Sequence, residues 1–141
     1  MLTIQNDTTL NINKEQLETI ATTLTSREIE LMICYNPTIQ EYNHEYRAKE
    51  SATDVLSFPL EGDFDHAPLG SIIISADFVI QKAQEFGHDC DDELSLLFIH
   101  GLLHLLGYDH EIDQGEMRAK EEALIKSFNL PKSLIVRMEN M

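Results

Sequence analysis

The chain has 141 residues with 43% hydrophobic and 25% charged positions, a size and balance that suit one globular domain with a buried core and leave little room for two. Ten Lys and Arg stand against 25 Asp and Glu, giving a net charge of −15, which excludes a bulk basic footprint for nucleic acid but not a local one. The N-terminus lacks the features of a secretory signal, and no apolar run reaches the roughly 18 residues of a membrane span. Cys34 and Cys90 form no C-x-x-C pair, so the reading is a cytoplasmic chain with reduced thiols and no membrane partner.

In chain order, Leu2 to Gln5 alternates as a short strand, and Asn13 supplies an N-cap for an amphipathic helix over Lys14 to Leu24, with Leu17, Ile20, Ala21 and Leu24 on one face. Glu28 to Tyr35 reads as a strand. Pro37 to Tyr46 reads as a short helix or turn-rich segment, Val55 to Phe58 as a strand stopped by Pro59, and Leu60 to Pro68 as an acidic loop. Leu69 to Ser75 is a β-branched run suited to a strand covered on both faces. Ala76 to Phe86 follows as a helix ending at Gly87.

Asp91, Asp92 and Glu93 put negative charge where a helix N-terminus favours it. Leu94 to Leu106 then continues as a helix apolar almost all round, which places it in the core. Asp113 to Phe128 reads as a surface helix with Met117, Leu124, Ile125 and Phe128 inward and Glu121 or Glu122 able to pair with Lys126. The tail from Leu130 to Met141 carries no clear pattern.

The chemistry concentrates in H-G-L-L-H-L-L-G-Y-D-H, His100 to His110. His100 and His104 are one helical turn apart and share a face, and Gly107 permits a left-handed turn that can bring His110 back toward them. Three neutral imidazoles suit a metal with an open position, zinc above others, each bound at about 2.0 to 2.1 Å. As ordinary core side chains, two histidines inside a leucine-rich helix would each cost on the order of 1 to 3 kcal/mol without a partner. A structural zinc more often has four ligands including cysteine; Cys90 is left open as a fourth. The spacing also resembles the metzincin pattern H-E-x-x-H-x-x-G-x-x-H, but Gly101 stands where the general-base glutamate would be, which argues against peptide hydrolysis.

The same string resembles the signature H-G-x-L-H-L-x-G-Y-D-H of the YbeY family of bacterial endoribonucleases. Tyr42 to Pro59 is similar to that family's L-N-x-x-Y-R-x-x-x-x-P-T-D-V-L-S-F-P block, and with L-G-S-I-I-I-S the likeness spans most of residues 28 to 128. Ala52 stands where the family has proline, and Ser71 where it has aspartate. The resemblance implies a single zincin-like α+β domain over residues 1–141, with a small mixed sheet of about four strands and five or six helices. It implies one zinc held by His100, His104 and His110, with Arg47 facing it across a groove as the catalytic and substrate-binding cation. A planar guanidinium suits that role because it grips a phosphate and offsets charge developing on it.

The implied function is a zinc-dependent, single-strand-specific endoribonuclease of ribosomal RNA maturation, notably at the 3′ end of the small-subunit RNA, and of ribosome quality control. Its implied partners are single-stranded RNA and rRNA precursor, small-subunit ribosomal proteins and ribosome-assembly GTPases, with no DNA expected. A non-catalytic zinc-stabilised assembly factor and a metallopeptidase-like hydrolase are the rival readings. Thr53, Asp54 and Ser57 read as shape-holding residues, and Asp109 as a carboxylate for the metal surroundings or for local backbone amides.

Residues 50 to 117 hold fifteen acids and one cation, Lys82, a field that attracts a divalent ion and repels RNA. RNA cleavage therefore calls for basic residues at the groove, Arg47 and Lys49 nearest with Arg27 or Lys14 contributing, and for acids on the far side.

Overall fold

The computed structural model describes residues 2–47, 53–60 and 67–139. Its elements are β1 (Leu2–Asn6), α1 (Lys14–Leu24), β2 (Ile29–Cys34), α2 (Asn36–Arg47), β3 (Val55–Pro59), β4 (Gly70–Ser75), α3 (Ala76–Phe86), α4 (Cys90–Leu105), α5 (Glu116–Ser127) and α6 (Ser133–Glu139). This is an α+β arrangement of a four-stranded mixed sheet and, among the described residues, six helices. The strand order is β1-β2-β4-β3, with β1, β2 and β4 parallel and β3 an antiparallel edge strand.

Pleating sorts the sheet residues. Ile29, Leu31 and Ile33 of β2 and Ile72 and Ile74 of β4 are buried on the face that meets the helices, and α4 crosses that face as the central core element. Nearly the whole length of α4 from Glu93 to Leu105 is buried, as its all-round apolar sequence requires. On the other face α2 seats Ile39 against Cys34, Leu56 and Ile73 in a smaller cluster.

Local capping sets several boundaries. The Asn13 side chain accepts from Gln16 N at 3.2 Å at the start of α1, and Gly87 closes α3 in the left-handed region at φ 71°. Helix α5 begins three residues later than the charge pattern suggests. The Asp113 carboxylate accepts from Gly115 N and Met117 N, both at 2.9 Å, and so builds a turn in front of the helix.

Glu122 pairs with Lys126 at 3.1 Å, while Glu121 turns inward. The patternless tail forms α6, with Leu134, Arg137 and Met138 buried. The acidic loop at 60–68 falls mostly, and Lys49 entirely, outside the described residues. No described helix is long and apolar enough to cross a membrane.

Candidate metal centre

The last turns of α4 pass beside the edge strand, and close approach depends on Gly101. A Cβ there would meet Ile72 Cγ2 at 3.0 Å, Ser57 Oγ at 3.1 Å and Val55 Cγ2 at 3.2 Å, and Ser57 Oγ donates to the Gly101 carbonyl at 2.9 Å. A glutamate at this position would be driven into the sheet. The departure from the metzincin pattern therefore has a packing reason.

Helix α4 ends as the sequence predicts, with Gly107 at φ 99° and Tyr108 N donating back to the Leu103 carbonyl at 3.0 Å. The reversal brings His110 over the helix end. The rings of His100, His104 and His110 lie 4.7, 5.5 and 5.7 Å apart between centroids, and one nitrogen of each falls within 4.8 Å of the others. They open on a groove of about 550 Å³ whose other wall is Thr53, Asp54, Val55, Ser57 and Pro59.

Hydrogen bonds orient two of these rings. His100 Nδ1 donates to Glu121 Oε1 at 2.8 Å, and His104 Nδ1 donates to the Tyr108 carbonyl at 3.0 Å. Each bond places the proton on Nδ1, so both Nε2 atoms present lone pairs, and these face each other at 3.2 Å. Two bare acceptors at that separation repel unless a cation lies between them, and the spacing is near what two tetrahedral zinc ligands at about 2.1 Å would show. His110 Nδ1 and Glu121 Oε2 are buried without a partner among the described residues. Burial first, and then the neighbouring His100, push the His104 imidazole below the ordinary histidine range, holding it in the neutral form that binds metal. The donor set fits a divalent ion.

Glu121 is the site residue that the sequence reading missed. It lies 21 residues from His100, and the signal that could have found it is a carboxylate on the inward stripe of α5, between Met117 and Leu124–Ile125. Cys90 does not complete the cluster: it opens α4 ten residues before His100, about 15 Å along the helix. Asp109 Oδ1 accepts from Glu111 N at 3.0 Å, and Asp54 Oδ1 accepts from Val55 N at 2.8 Å; both keep the local roles the sequence suggested.

Arg47 is the last residue of α2, and its side chain lies outside the described set. The expected separation of charges is not found among the described residues. Asp54, Asp109 and Glu111 line the groove, and among the described residues no Lys or Arg does. Arg27 is instead held by the carbonyls of Ala67 at 2.9 Å and Pro68 at 3.1 Å, and Lys14 lies beside Glu18 on α1.

Comparison with known proteins agrees with this geometry. Residues 2–129 match the family model described as Endoribonuclease YbeY. Proteins of that name from Sulfurovum sp. (strain NBC37-1) and Aliarcobacter butzleri are 58% and 56% identical, over 97% of this chain in each case and 97% and 99% of theirs. The one from Wolinella succinogenes is 52% identical over the full length of both. The solution structure of TM1509 from Thermotoga maritima shares the fold with a TM-score of 0.62 at 27% identity, covering 91% of this chain and 89% of that one. With matches of this extent, the chain belongs to the endoribonuclease YbeY family of RNA-cutting hydrolases.

Proposed function

We propose that this chain is a zinc-dependent, single-strand-specific endoribonuclease acting in ribosomal RNA maturation, notably at the 3′ end of the small-subunit RNA, and in ribosome quality control. The observation that carries the reading is the histidine cluster on the groove floor, with two oriented Nε2 atoms 3.2 Å apart. In this reading residues 1–141 are one cytoplasmic domain, and His100, His104 and His110 hold one zinc. A zinc ion there supplies Lewis acidity, polarising a phosphoryl oxygen and acidifying water.

The chain's own residues do the rest. Glu121 and the Tyr108 carbonyl hold the ligating rings in one tautomer, and Ser57 fixes the strand opposite. Arg47, the last residue of α2, is the cation assigned to grip the scissile phosphate. The nucleophile is water or the RNA's own 2′-hydroxyl, and a 2′,3′-cyclic phosphate product identifies the latter. The family also brings small-subunit ribosomal proteins and assembly GTPases as partners. One feature favours a second reading, a zinc-stabilised assembly factor without turnover: the described groove wall carries three carboxylates and no cation.

Metal content and single-stranded RNA cleavage, measured on one preparation of wild type, His104→Ala and Arg47→Ala, decide between them. The nuclease reading expects about one zinc per chain and cleavage in wild type, loss of both in His104→Ala, and loss of cleavage alone in Arg47→Ala. Zinc without cleavage in all three favours the assembly factor.

A further inference from the structure

The edge strand β3 has two faces. Val55, Ser57 and Pro59 line the histidine groove, while Leu56 and Phe58 point to the other side of the sheet. There α2 seats Ile39 in the sheet, with Tyr42 packed beside it. Nearer its C-terminal end, Tyr42 and Tyr46 stand over Phe58 and border a cleft of about 460 Å³. The Tyr46 ring is nearly parallel to Tyr42, at 14° and 6.1 Å between centroids, and meets Phe58 edge-on at 5.3 Å, yet Tyr46 is 60% exposed. The other walls mix aliphatic residues such as Met32 and Ile73 with the polar Gln5, Glu30 and Ser71; Ser71 Oγ donates to Glu30 Oε2 at 3.3 Å.

A chain of net charge −15 gains little affinity for RNA by neutralising phosphates, so affinity has to come from contacts to the bases. Aromatic faces supply this because every base has a π-face, and single strands expose theirs. The two grooves share one strand, and no other described strand pairs with the outer edge of β3.

We propose that the cleft between α2 and the open face of the sheet is a nucleobase subsite. Single-stranded RNA held with its scissile phosphate in the histidine groove crosses β3 and stacks a flanking base on Tyr46. Glu30 can only accept hydrogen bonds when ionised, so it faces the base edge, not the phosphates, and favours a base with an exocyclic amino group over uracil. The subsite rests on the endoribonuclease reading.

The test walks 2-aminopurine, one position at a time, through a short single-stranded RNA. Its fluorescence is followed on binding to wild type, Tyr46→Phe and Tyr46→Ala, with cleavage of the same RNAs recorded in parallel. The expected result is quenching at one position, fixed relative to the cleavage site and retained in Tyr46→Phe. In Tyr46→Ala the quenching is lost and binding is roughly fivefold weaker or more. Tyr46 is largely exposed, and an unchanged circular dichroism melt shows that its truncation leaves the fold intact. Cleavage by wild type with no position quenched, or with quenching unchanged in Tyr46→Ala, overturns the subsite and leaves the nuclease reading standing. RNA that is neither bound nor cut overturns the nuclease reading and the subsite with it.

Discussion

The two ends of α4 bury polar groups in opposite ways. At its start, the fully buried Glu93 uses both oxygens: Oε1 meets His88 Nε2 at 2.9 Å and Oε2 accepts from Arg137 Nε at 3.0 Å. His88 Nδ1 meets Ser133 Oγ at 2.9 Å, and Arg137 continues to Asp54 Oδ2 at 3.2 Å while lying over the Phe86 ring. At its other end, among the described residues, Glu121 has one oxygen bonded and one without a partner, His110 Nδ1 has none, and two Nε2 lone pairs face each other. One helix and one core hold both groups. The protein satisfies the first by itself, which marks it as architecture, and leaves the second incomplete beside a groove, which marks it as a place for a cation.

The completed end breaks most severely when one member is removed. Arg137→Ala leaves Glu93 buried without its guanidinium and is expected to cost about 3 to 5 kcal/mol, read as a lower urea midpoint. Burial already raises the Glu93 carboxyl above its ordinary range, with Arg137 and His88 opposing the shift. A folded-state pKa above the unfolded one favours folding at low pH and loses that advantage as pH rises through the folded value. Without Arg137 the pKa rises further. The deficit of Arg137→Ala should therefore be smaller at about pH 5 than at about pH 8. A gap that does not narrow would mean that Glu93 stays ionised through other contacts.

At the incomplete end, Glu121→Gln keeps the shape and an acceptor for His100 Nδ1 but removes the charge that offsets a divalent ion. Zinc affinity is expected to fall roughly 10- to 100-fold. The zinc-free protein should be as stable as wild type or more so, because a buried carboxylate with an unpartnered oxygen has gone. A large loss of stability without zinc would instead place Glu121 with Glu93, as architecture.

What the sequence exposes at these two ends differs for a physical reason. The histidine triad is legible because its members are local: one turn of helix, one left-handed glycine and a short return. The cap at Asn13, the stop at Gly87 and the all-round apolar α4 are local too. The partners are not. Glu121 lies 21 residues from His100, and Arg137 reaches 44 residues back to Glu93 and 83 back to Asp54. Such pairings exist only once α5 and α6 have docked. Helix α2 reads ambiguously because Pro37 looks like a break, yet it sits in the first turn, where a missing N–H costs nothing. The charge pattern is legible in sign and not in place: Asp54 and Asp109 are held at the groove wall by backbone and Arg137 contacts that no periodicity encodes, while the Arg47 side chain and Lys49 lie outside the described residues.

The smallest expected effect uses the two thiols as reporters. Cys90 opens α4 at its completed end, and burial followed by the nearby Asp91 raises its pKa, against the lowering that a helix N-terminus ordinarily gives. Cys34 lies under α2 on the opposite sheet face, where burial pushes its thiol up to about 11. Because the thiolate is the reactive form, alkylation near pH 8 should label Cys90 slowly and Cys34 only when the whole domain opens. Mass spectrometry of the labelled cysteines over time checks the order. Added zinc stabilises the folded state and should slow Cys34 further, while local labelling at Cys90 stays unchanged because the histidines lie at the far end of α4. Equal rates at the two cysteines would mean that the start of α4 opens only with the whole domain, and the contrast between its ends would then lie in chemistry alone and not in local stability.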